Sequence, residues 1–309
     1  MKNRAVIDIG TNSILLLIAH WNSEGKPVVV KQAFTVTRLG ESISGDLVIG
    51  PGASTKAVTV LHTYQDMIKQ HQAEQVSVVG TEMLRLAKNR SVFCDTIYRQ
   101  FGWPVDIISG EEEGRLTYIG AVSGLAEANQ PVLVIDVGGG STELVRGIGL
   151  HIIKSVSLPL GVVRFSEKTG GRTRLPEDLC RDLRLEIKKS VSQTGDLLNV
   201  PSGTMLIGSG GTVTTVAAVK ASMTTYDPEK LHGYILTQED LDLVFQKLNR
   251  MSLEERRKVP GMLPGREDVL LYGILIFLVM MEMSGLRMLY ATDRGLRFGY
   301  LQKQINTGV

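Results

Sequence analysis

The segment Ile135-Asp136-Val137-Gly138-Gly139-Gly140-Ser141-Thr142-Glu143 indicates a duplicated architecture, because its pattern already occurs once as Ile7-Asp8-Ile9-Gly10-Thr11-Asn12-Ser13. In both copies an apolar run ends in an aspartate, a glycine turn follows, and a hydroxyl residue opens a second apolar run. A glycine turn lets a ligand oxygen approach the backbone, whose N–H groups can point at an anion. The aspartate before the turn is a natural ligand for a hard cation such as Mg²⁺. Two copies therefore predict paired phosphate clamps, one in each of two domains.

The composition is that of a globular protein large enough for two domains. The chain has 309 residues, of which 43% are hydrophobic and 21% charged. Its net charge is +2, whereas stable nucleic-acid binding requires strong positive charge, so no such partner is expected. The chain has two cysteines, Cys94 and Cys180, too few and too far apart in sequence to indicate a disulfide framework. With no signal-peptide pattern at the N-terminus, this predicts a cytoplasmic location. The most apolar stretch, 269–281, is too short to cross a bilayer and predicts a buried helix.

The order of predicted elements repeats together with the motif. The first half begins with three strands, and the second half restarts with three strands after the polar stretch Glu127-Ala128-Asn129-Gln130-Pro131. We therefore predict domains at 1–126 and 127–309, each a mixed sheet flanked by helices, with a cleft between them. Strands are predicted at 5–9, 13–21, 28–36, 76–80, 105–108, 132–137, 142–148, 151–158 and 205–207, and helices at 53–70, 82–89, 109–126, 177–198 and 213–220. The rest is predicted to be helical, with caps at Thr237 and Ser252 and a last helix, 296–305, that crosses back to the first domain.

Further motifs occur between and after the two copies. They are Gly80-Thr81-Glu82-Met83-Leu84-Arg85, Ile108-Ser109-Gly110-Glu111-Glu112-Glu113-Gly114-Arg115, Gly208-Ser209-Gly210-Gly211-Thr212, His232-Gly233-Tyr234 and Asp293-Arg294-Gly295-Leu296-Arg297. With the duplicated turns, this set resembles the exopolyphosphatase/guanosine pentaphosphate phosphohydrolase (Ppx/GppA) family in its short, two-domain form. That family lies in the superfamily of actin, hexokinase and heat-shock chaperones, so the resemblance implies two α/β, ribonuclease H-like domains.

The resemblance also implies a reaction and a site. The reaction is Mg²⁺-dependent (or other divalent-cation-dependent) hydrolysis of the terminal phosphoanhydride of inorganic polyphosphate. Glu113 would be the base that accepts a proton from water, and the cation ligands would be Asp8, Asp136 and Glu143. The phosphate-binding residues would be Gly10, Thr11, Asn12, Ser13, Arg85, Gly138, Gly139, Gly140, Ser141, Gly210, Gly211 and Thr212, with Arg266 as a further substrate contact. A strand followed by glycines and a helix N-terminus, as at Gly208–Thr212, independently suits an anion.

Structural roles for the same residues remain open at this point. An aspartate commonly caps a turn, and acids in the first turn of a helix, such as Glu111 and Glu112, often serve stability alone.

Several functions also remain open. Many members of the family carry a basic residue where this chain has Leu15, which weakens the expectation of a guanosine substrate. The alternatives are hydrolysis of guanosine pentaphosphate to the tetraphosphate, a kinase with similar clamps, and a sensor that binds guanosine alarmones without turnover. A homodimer is compatible with the sequence, which does not fix the oligomeric state.

Overall fold

The structure is a computed structural model that describes residues 2–23, 26–41 and 45–306, with side chains given as far as Gln304. A turn expected at Glu24-Gly25-Lys26-Pro27 lies partly outside these residues. The first half contains, in chain order, β1 (Arg4–Ile9), β2 (Ser13–Trp21), β3 (Pro27–Val36), α1 (Pro51–Gln70), β4 (Gln75–Gly80), α2 (Glu82–Leu86), α3 (Arg90–Phe101), β5 (Val105–Ile107) and α4 (Gly110–Val122). Its five-stranded sheet has the order β3-β2-β1-β4-β5. Strands β1, β2 and β3 are antiparallel, and β4 and β5 run parallel to β1.

The second half repeats this plan and extends it. Its elements are β6 (Pro131–Val137), β7 (Thr142–Ile148), β8 (His151–Leu158), α5 (Val162–Lys168), α6 (Glu177–Ser192), β9 (Met205–Ser209), α7 (Gly211–Lys220), α8 (Pro228–Leu231), β10 (Tyr234–Thr237), α9 (Gln238–Arg250), α10 (Leu253–Arg257), α11 (Leu270–Ser284), β11 (Met288–Thr292) and α12 (Leu296–Asn306). The six-stranded sheet has the order β10-β11-β9-β6-β7-β8. Strands β6, β7 and β8 are antiparallel, and β9 and β11 continue the sheet in parallel with β6.

The repeated sequence is a repeated structure, residue for residue. In the first copy Asp8 pairs with Leu15, and in the second Asp136 pairs with Glu143 at the same place in the hairpin. The turn is closed in both copies by the same bond: Gly10 N donates to Ser13 O at 3.0 Å, and Gly138 N donates to Ser141 O at 2.9 Å. The prediction of two matching strand–turn–strand units is confirmed.

Two helices tie the halves together. Helix α4 packs Tyr118 and Val122 against the second sheet, although it precedes residue 127. Helix α12 returns to the first sheet, where Phe298 and Leu301 pack with Val6 and other apolar residues. The predicted return of the last helix is therefore confirmed, while the boundary between residues 126 and 127 stays a prediction.

The sequence prediction was wrong in the last third of the chain and in some helix ends. The region after residue 220 contains strands β10 and β11, where helix alone was expected. The helix expected at 82–89 is short and is followed by a separate helix, α3, and α4 and α6 end at Val122 and Ser192, earlier than predicted. The helix caps at Thr237 and Ser252 are confirmed, each as a capping box. Helix α11 is buried from Leu270 to Met281, and none of the helices in the described ranges is long and apolar enough to cross a membrane.

Candidate active site

A cleft of about 290 Å³ lies between the two glycine turns. Its walls combine the ends of β1 and β6 with the turns that follow them, so residues from both halves face each other. The predicted site residues that line it are Asp8, Gly10, Thr11, Asn12, Ser13, Glu113, Asp136, Gly138, Gly139, Gly140, Ser141, Glu143, Gly210, Gly211 and Arg266. Arg85 does not line the cleft itself but donates a hydrogen bond to Glu113, which does. The side chain of Thr212 faces Gly273 of α11, so its predicted role in phosphate binding would have to use its backbone.

Glu113 is held in the cleft by its helix and by an arginine from another element. Ser109 caps α4, its hydroxyl accepting a hydrogen bond from Glu112 N at 3.1 Å, and this places Glu113 on the buried side of the first turn. Arg85 Nη1 donates to Glu113 Oε2 at 2.6 Å and to Ile108 O at 3.1 Å. The bond to a backbone carbonyl fixes the guanidinium, which in turn orients the carboxylate.

The pKa of Glu113 suits a general base. Its pKa is raised to about 8, chiefly by burial and also by the charges of Asp8 and Asp136, against the lowering effect of Arg85. A base is most effective when its pKa lies near the working pH, because it must be ionised and still able to accept a proton. The two acids beside it are placed differently: Glu111 is exposed, and Glu112 forms ion pairs with Arg115 and Lys303.

The two aspartates that precede the glycine turns both line the cleft, Asp8 buried and Asp136 half-buried. Burial raises the pKa of Asp8 to about 7, Arg297 lowers it, and the charge of Asp136 raises it. Burial likewise raises the pKa of Asp136 to about 6, although a hydrogen bond from Thr117 and the charge of Arg266 lower it. Asp8 Oδ1 is fully buried and has no hydrogen-bond partner among the described residues.

Asp8, Glu113, Asp136 and Glu143 together form the acidic group of the cleft. Glu143 comes from β7, the strand that follows the second turn. Its pKa is raised well above the usual value by burial and by the charges of Glu113 and Asp136. Ser157 Oγ donates to Glu143 Oε1 at 2.7 Å, which holds the carboxylate towards the cleft. Burial raises the pKa of all four carboxylates, and neighbouring carboxylates raise it further for Asp8, Glu113 and Glu143, so a positive charge would stabilise their ionised forms.

The acidic group fits a bound Mg²⁺ ion. Mg²⁺ usually takes only one or two carboxylates from the protein and fills its other positions with water and substrate phosphates. The buried, unpartnered Asp8 Oδ1 beside Asp136 supplies this kind of ligand. Across the described ranges, no group of three or more His, Cys, Asp or Glu side chains has the arrangement of a metal site by itself.

The glycine turns of the two halves touch each other. A Cβ on Gly139 would lie 2.9 Å from Thr11 Cβ and 3.0 Å from Asn12 N, so only glycine fits where the turns meet. A third glycine segment, which contains Gly210 and Gly211, also lines the cleft. Gly210 has φ +91°, a conformation that favours glycine, and α7 begins directly after it. The guanidinium of Arg266 lies against Gly211, with its Nε unpartnered among the described residues. The three glycine segments and the buried guanidinium of Arg266 thus line one cleft.

Sequence reasoning missed several residues of the cleft. Arg297 lines it and donates from Nη1 to Leu16 O at 2.8 Å; its motif was noted in the sequence, but no role was given to it. Glu82 also lines the cleft and pairs with Arg164 of the other half at 2.9 Å. Nothing in the local sequence signals a pair whose members lie 82 residues apart.

The chain matches the model of the Ppx/GppA phosphatase family over residues 17–307, nearly its whole length. The chain belongs to the Ppx/GppA phosphatase family. Among curated proteins of this kind, it is 32% identical over 281 residues to exopolyphosphatase 2 of Mycobacterium tuberculosis, covering 88% of each chain. It is 29% identical over 303 residues to a putative exopolyphosphatase of Haemophilus influenzae, covering 97% of this chain and 91% of the other.

Solved structures of the Ppx/GppA family agree with the fold described above. A family member from Aquifex aeolicus is 31% identical and superposes with a TM-score of 0.83 over 99% of this chain and 98% of its own. An exopolyphosphatase from Cytophaga hutchinsonii gives a TM-score of 0.90 at 23% identity, which supports the fold alone. The expected family is confirmed, and with it the α/β fold class of two mixed sheets flanked by helices. The protein is thereby a member of a family of phosphatases.

Proposed function

We propose that this protein is an exopolyphosphatase that hydrolyses the terminal phosphoanhydride of inorganic polyphosphate and releases orthophosphate. The observation that carries the proposal is the buried Glu113, held at 2.6 Å by Arg85 and facing the paired glycine turns across one cleft. Hydrolysis requires a base for the attacking water, whereas binding or positioning alone would not require one. The relatives named exopolyphosphatase support the same substrate class.

Each part of the cleft has a task in this reaction. The N–H groups of the two glycine turns bind the oxygens of the terminal phosphoryl group, and Arg266 binds the adjoining phosphate. Glu113 orients a water molecule and accepts its proton as the water oxygen bonds to phosphorus and the bond to the bridging oxygen breaks. Asp8, Asp136 and Glu143 would hold Mg²⁺, which when bound neutralises charge on the phosphoryl oxygens.

Guanosine pentaphosphate is the second candidate substrate. Arg266 favours it, because this buried cation in the cleft suits an additional phosphate group. Leu15 argues against it: it pairs with Phe34 between β2 and β3, and both line the cleft. An apolar side chain at this position offers no ion pair to a charged nucleotide, and the relatives named exopolyphosphatase favour polyphosphate.

Two other classes of function agree less well with the site. A kinase would need an acceptor, and a buried base set to activate water would favour loss of the phosphoryl group to hydrolysis. A sensor of guanosine alarmones would not need four acids buried together at an energetic cost. The proposals of Mg²⁺ dependence, a cytoplasmic location and a possible homodimer rest on the sequence and on the family.

The proposed function is tested by phosphate release from the purified wild-type protein. Polyphosphate and guanosine pentaphosphate are supplied separately, each with Mg²⁺ and with a chelator. We expect Mg²⁺-dependent release of orthophosphate, faster from polyphosphate at equal concentration. Faster release from guanosine pentaphosphate would establish the second candidate, and binding of that nucleotide without release from either substrate would establish the sensor.

A further inference from the structure

An ion pair joins the two halves at one side of the glycine turns. Arg164, on α5 of the second half, donates from Nη2 to Glu82 Oε1 at 2.9 Å, and Glu82 is the first residue of α2 in the first half. The same guanidinium donates from Nε to Gly140 O at 3.0 Å. Arg164 therefore holds the second glycine turn with one nitrogen and the first half with another.

Glu82 lies on the same short helix as the arginine that holds the base. Arg85 follows Glu82 by three residues, which places the two side chains on neighbouring parts of one helical turn. Arg85 in turn donates to Glu113 at 2.6 Å. A path thus runs by hydrogen bonds from Gly140 through Arg164 to Glu82, along helix α2 to Arg85, and by a further hydrogen bond to Glu113.

We propose that Arg164 and Glu82 are positioning residues, a strap that sets the place of Glu113 relative to the phosphate bound at the second glycine turn. The strap rests on the proposed function, because it assumes that Glu113 acts on a phosphoryl group held there. When the halves close, Arg164 fixes the position of Gly140 relative to α2. Because α2 contains Arg85, which holds Glu113, the same contact fixes the position of the base. Closure and alignment of the base become a single event.

The surroundings of Glu82 make the strap depend on Arg164. Glu82 is only 7% exposed, and its Oε2 has no hydrogen-bond partner among the described residues. Burial raises the pKa of Glu82, and the charge of Arg164 is the largest of the effects that lower it. A buried carboxylate is costly without its counterion, so separating the halves destabilises Glu82, and the pair favours the closed arrangement.

A second ion pair between the halves provides a matched control. Arg38 of the first half and Asp268 of the second lie 2.7 Å apart. Among the described residues, this pair makes no hydrogen bond to Gly140 or to α2. Its loss should loosen closure without disturbing the path from Gly140 to Glu113.

The experiment compares Arg164→Met and Arg164→Lys with Asp268→Asn, measuring kcat and KM for polyphosphate. We expect Arg164→Met to lower kcat by about 10- to 100-fold, the range that a misplaced catalytic group produces. Arg164→Lys keeps the charge but ends in a single nitrogen in place of the fork, so its kcat should also fall. Asp268→Asn should mainly raise KM. Equal losses of kcat in Arg164→Met and Asp268→Asn would overturn the strap, because closure alone would then explain both.

A double-mutant cycle separates positioning from general stability. If the strap acts through Arg85, Arg164→Met should lower kcat by less than about threefold in an Arg85→Lys background, because coupled residues are not additive. Fully additive losses would contradict the proposal. Thermal unfolding verifies that each variant is folded.

An interdomain distance gives a readout that does not need turnover. Spin labels at Thr55→Cys on α1 and Glu239→Cys on α9, with Cys94 and Cys180 replaced by serine, report the separation of the halves. We expect Arg164→Met to broaden this distance, and an unchanged distribution would overturn the strap. An inactive wild type would overturn the proposed function and the positioning role together, whereas an active wild type with additive variants would overturn the strap alone.

Discussion

At the scale of single residues, the site depends on which of three adjacent acids is buried. Glu111, Glu112 and Glu113 share one helical turn, and propensity alone cannot choose among them because all three favour a helix N-terminus. Of these three acids, Glu113 is the one that accepts a hydrogen bond from Arg85, which lies 28 residues earlier in the chain. The family resemblance pointed to Glu113, and the structure adds the contact that orients it. The role of Glu113 as base stays a prediction.

The Arg85–Glu113 pair predicts a shift in the pH profile. Glu113 must be ionised to act as a base, so kcat/KM should rise with pH through its pKa of about 8. Arg85 lowers that pKa, and Arg85→Gln removes a positive charge, so the midpoint should move to higher pH by about one unit. The measurement is kcat/KM for polyphosphate between pH 6 and 10, a range of roughly two units on either side of the expected midpoint.

The control for this prediction is Arg85→Lys, which keeps the positive charge. Its midpoint should stay near the wild-type value even if its rate falls, because the charge, and not the fork geometry, sets the shift. An unchanged midpoint in Arg85→Gln would show that another group governs the pH profile.

At the scale of elements, the correct predictions concern hairpins that contain a glycine turn and long segments with a regular pattern. The two hairpins were predicted correctly because each has a turn between apolar strands, and α11 because it is apolar throughout. Strands β10 and β11 were missed because four or five residues carry too few alternations to distinguish a strand from a helix. The helix expected at 82–89 ends early because Ala87 adopts an extended conformation, with ψ 125°. Contacts between halves, such as Arg164–Glu82, have no signature in local sequence.

The contact between the two glycine turns predicts a defect that is local to the cleft. Gly139→Ala would place a Cβ against Thr11 and Asn12 and push the turns apart. We expect kcat/KM for polyphosphate to fall by at least about tenfold, since small displacements of positioning groups have large effects. Circular dichroism should remain that of the wild type, because the clash is between turns and not within a core.

Gly52→Ala in α1 is the matched control. A Cβ there meets nothing within 4 Å among the described residues, and the position is helical. Its kcat/KM should be unchanged, and its free energy of unfolding should rise by about 0.4–1 kcal/mol. Wild-type kcat/KM in Gly139→Ala would show that the turns need not touch for catalysis.

At the scale of the whole molecule, closing two similar halves buries acids from both in one place. Asp8 comes from the first half and Asp136 from the second, and each raises the pKa of a neighbouring acid. Their folded-state pKa values of about 7 and about 6 lie above the ordinary aspartate value of 3.8. Such groups contribute stability that is present below the unfolded pKa and is lost as pH rises through the folded pKa. The stability of the protein should therefore fall as the pH rises through the folded-state values of about 6 and about 7, and it should stay lower above them.

This destabilisation predicts the behaviour of Asp8→Asn. The variant should raise the melting temperature relative to the wild type at pH 8.5, where Asp8 is ionised, and change it little at pH 5, where Asp8 is already protonated. Mg²⁺ should raise the wild-type melting temperature more at pH 8.5 than at pH 5, because binding needs ionised carboxylates. Asp46→Asn, at an exposed position, is the control and should show neither effect. A lower melting temperature of Asp8→Asn at pH 8.5 would contradict the account of a buried, destabilising carboxylate.

The proposed hydrolysis of polyphosphate needs Glu113 as its base. The most direct measurement is kcat for Mg²⁺-dependent phosphate release from polyphosphate by Glu113→Gln, beside Glu111→Gln as a control on the exposed side of the same helical turn. We predict that Glu113→Gln lowers kcat by about 10²- to 10⁴-fold, the usual contribution of a general base, while Glu111→Gln stays within about twofold of the wild type. A Glu113→Gln variant that releases phosphate as fast as the wild type would contradict the account.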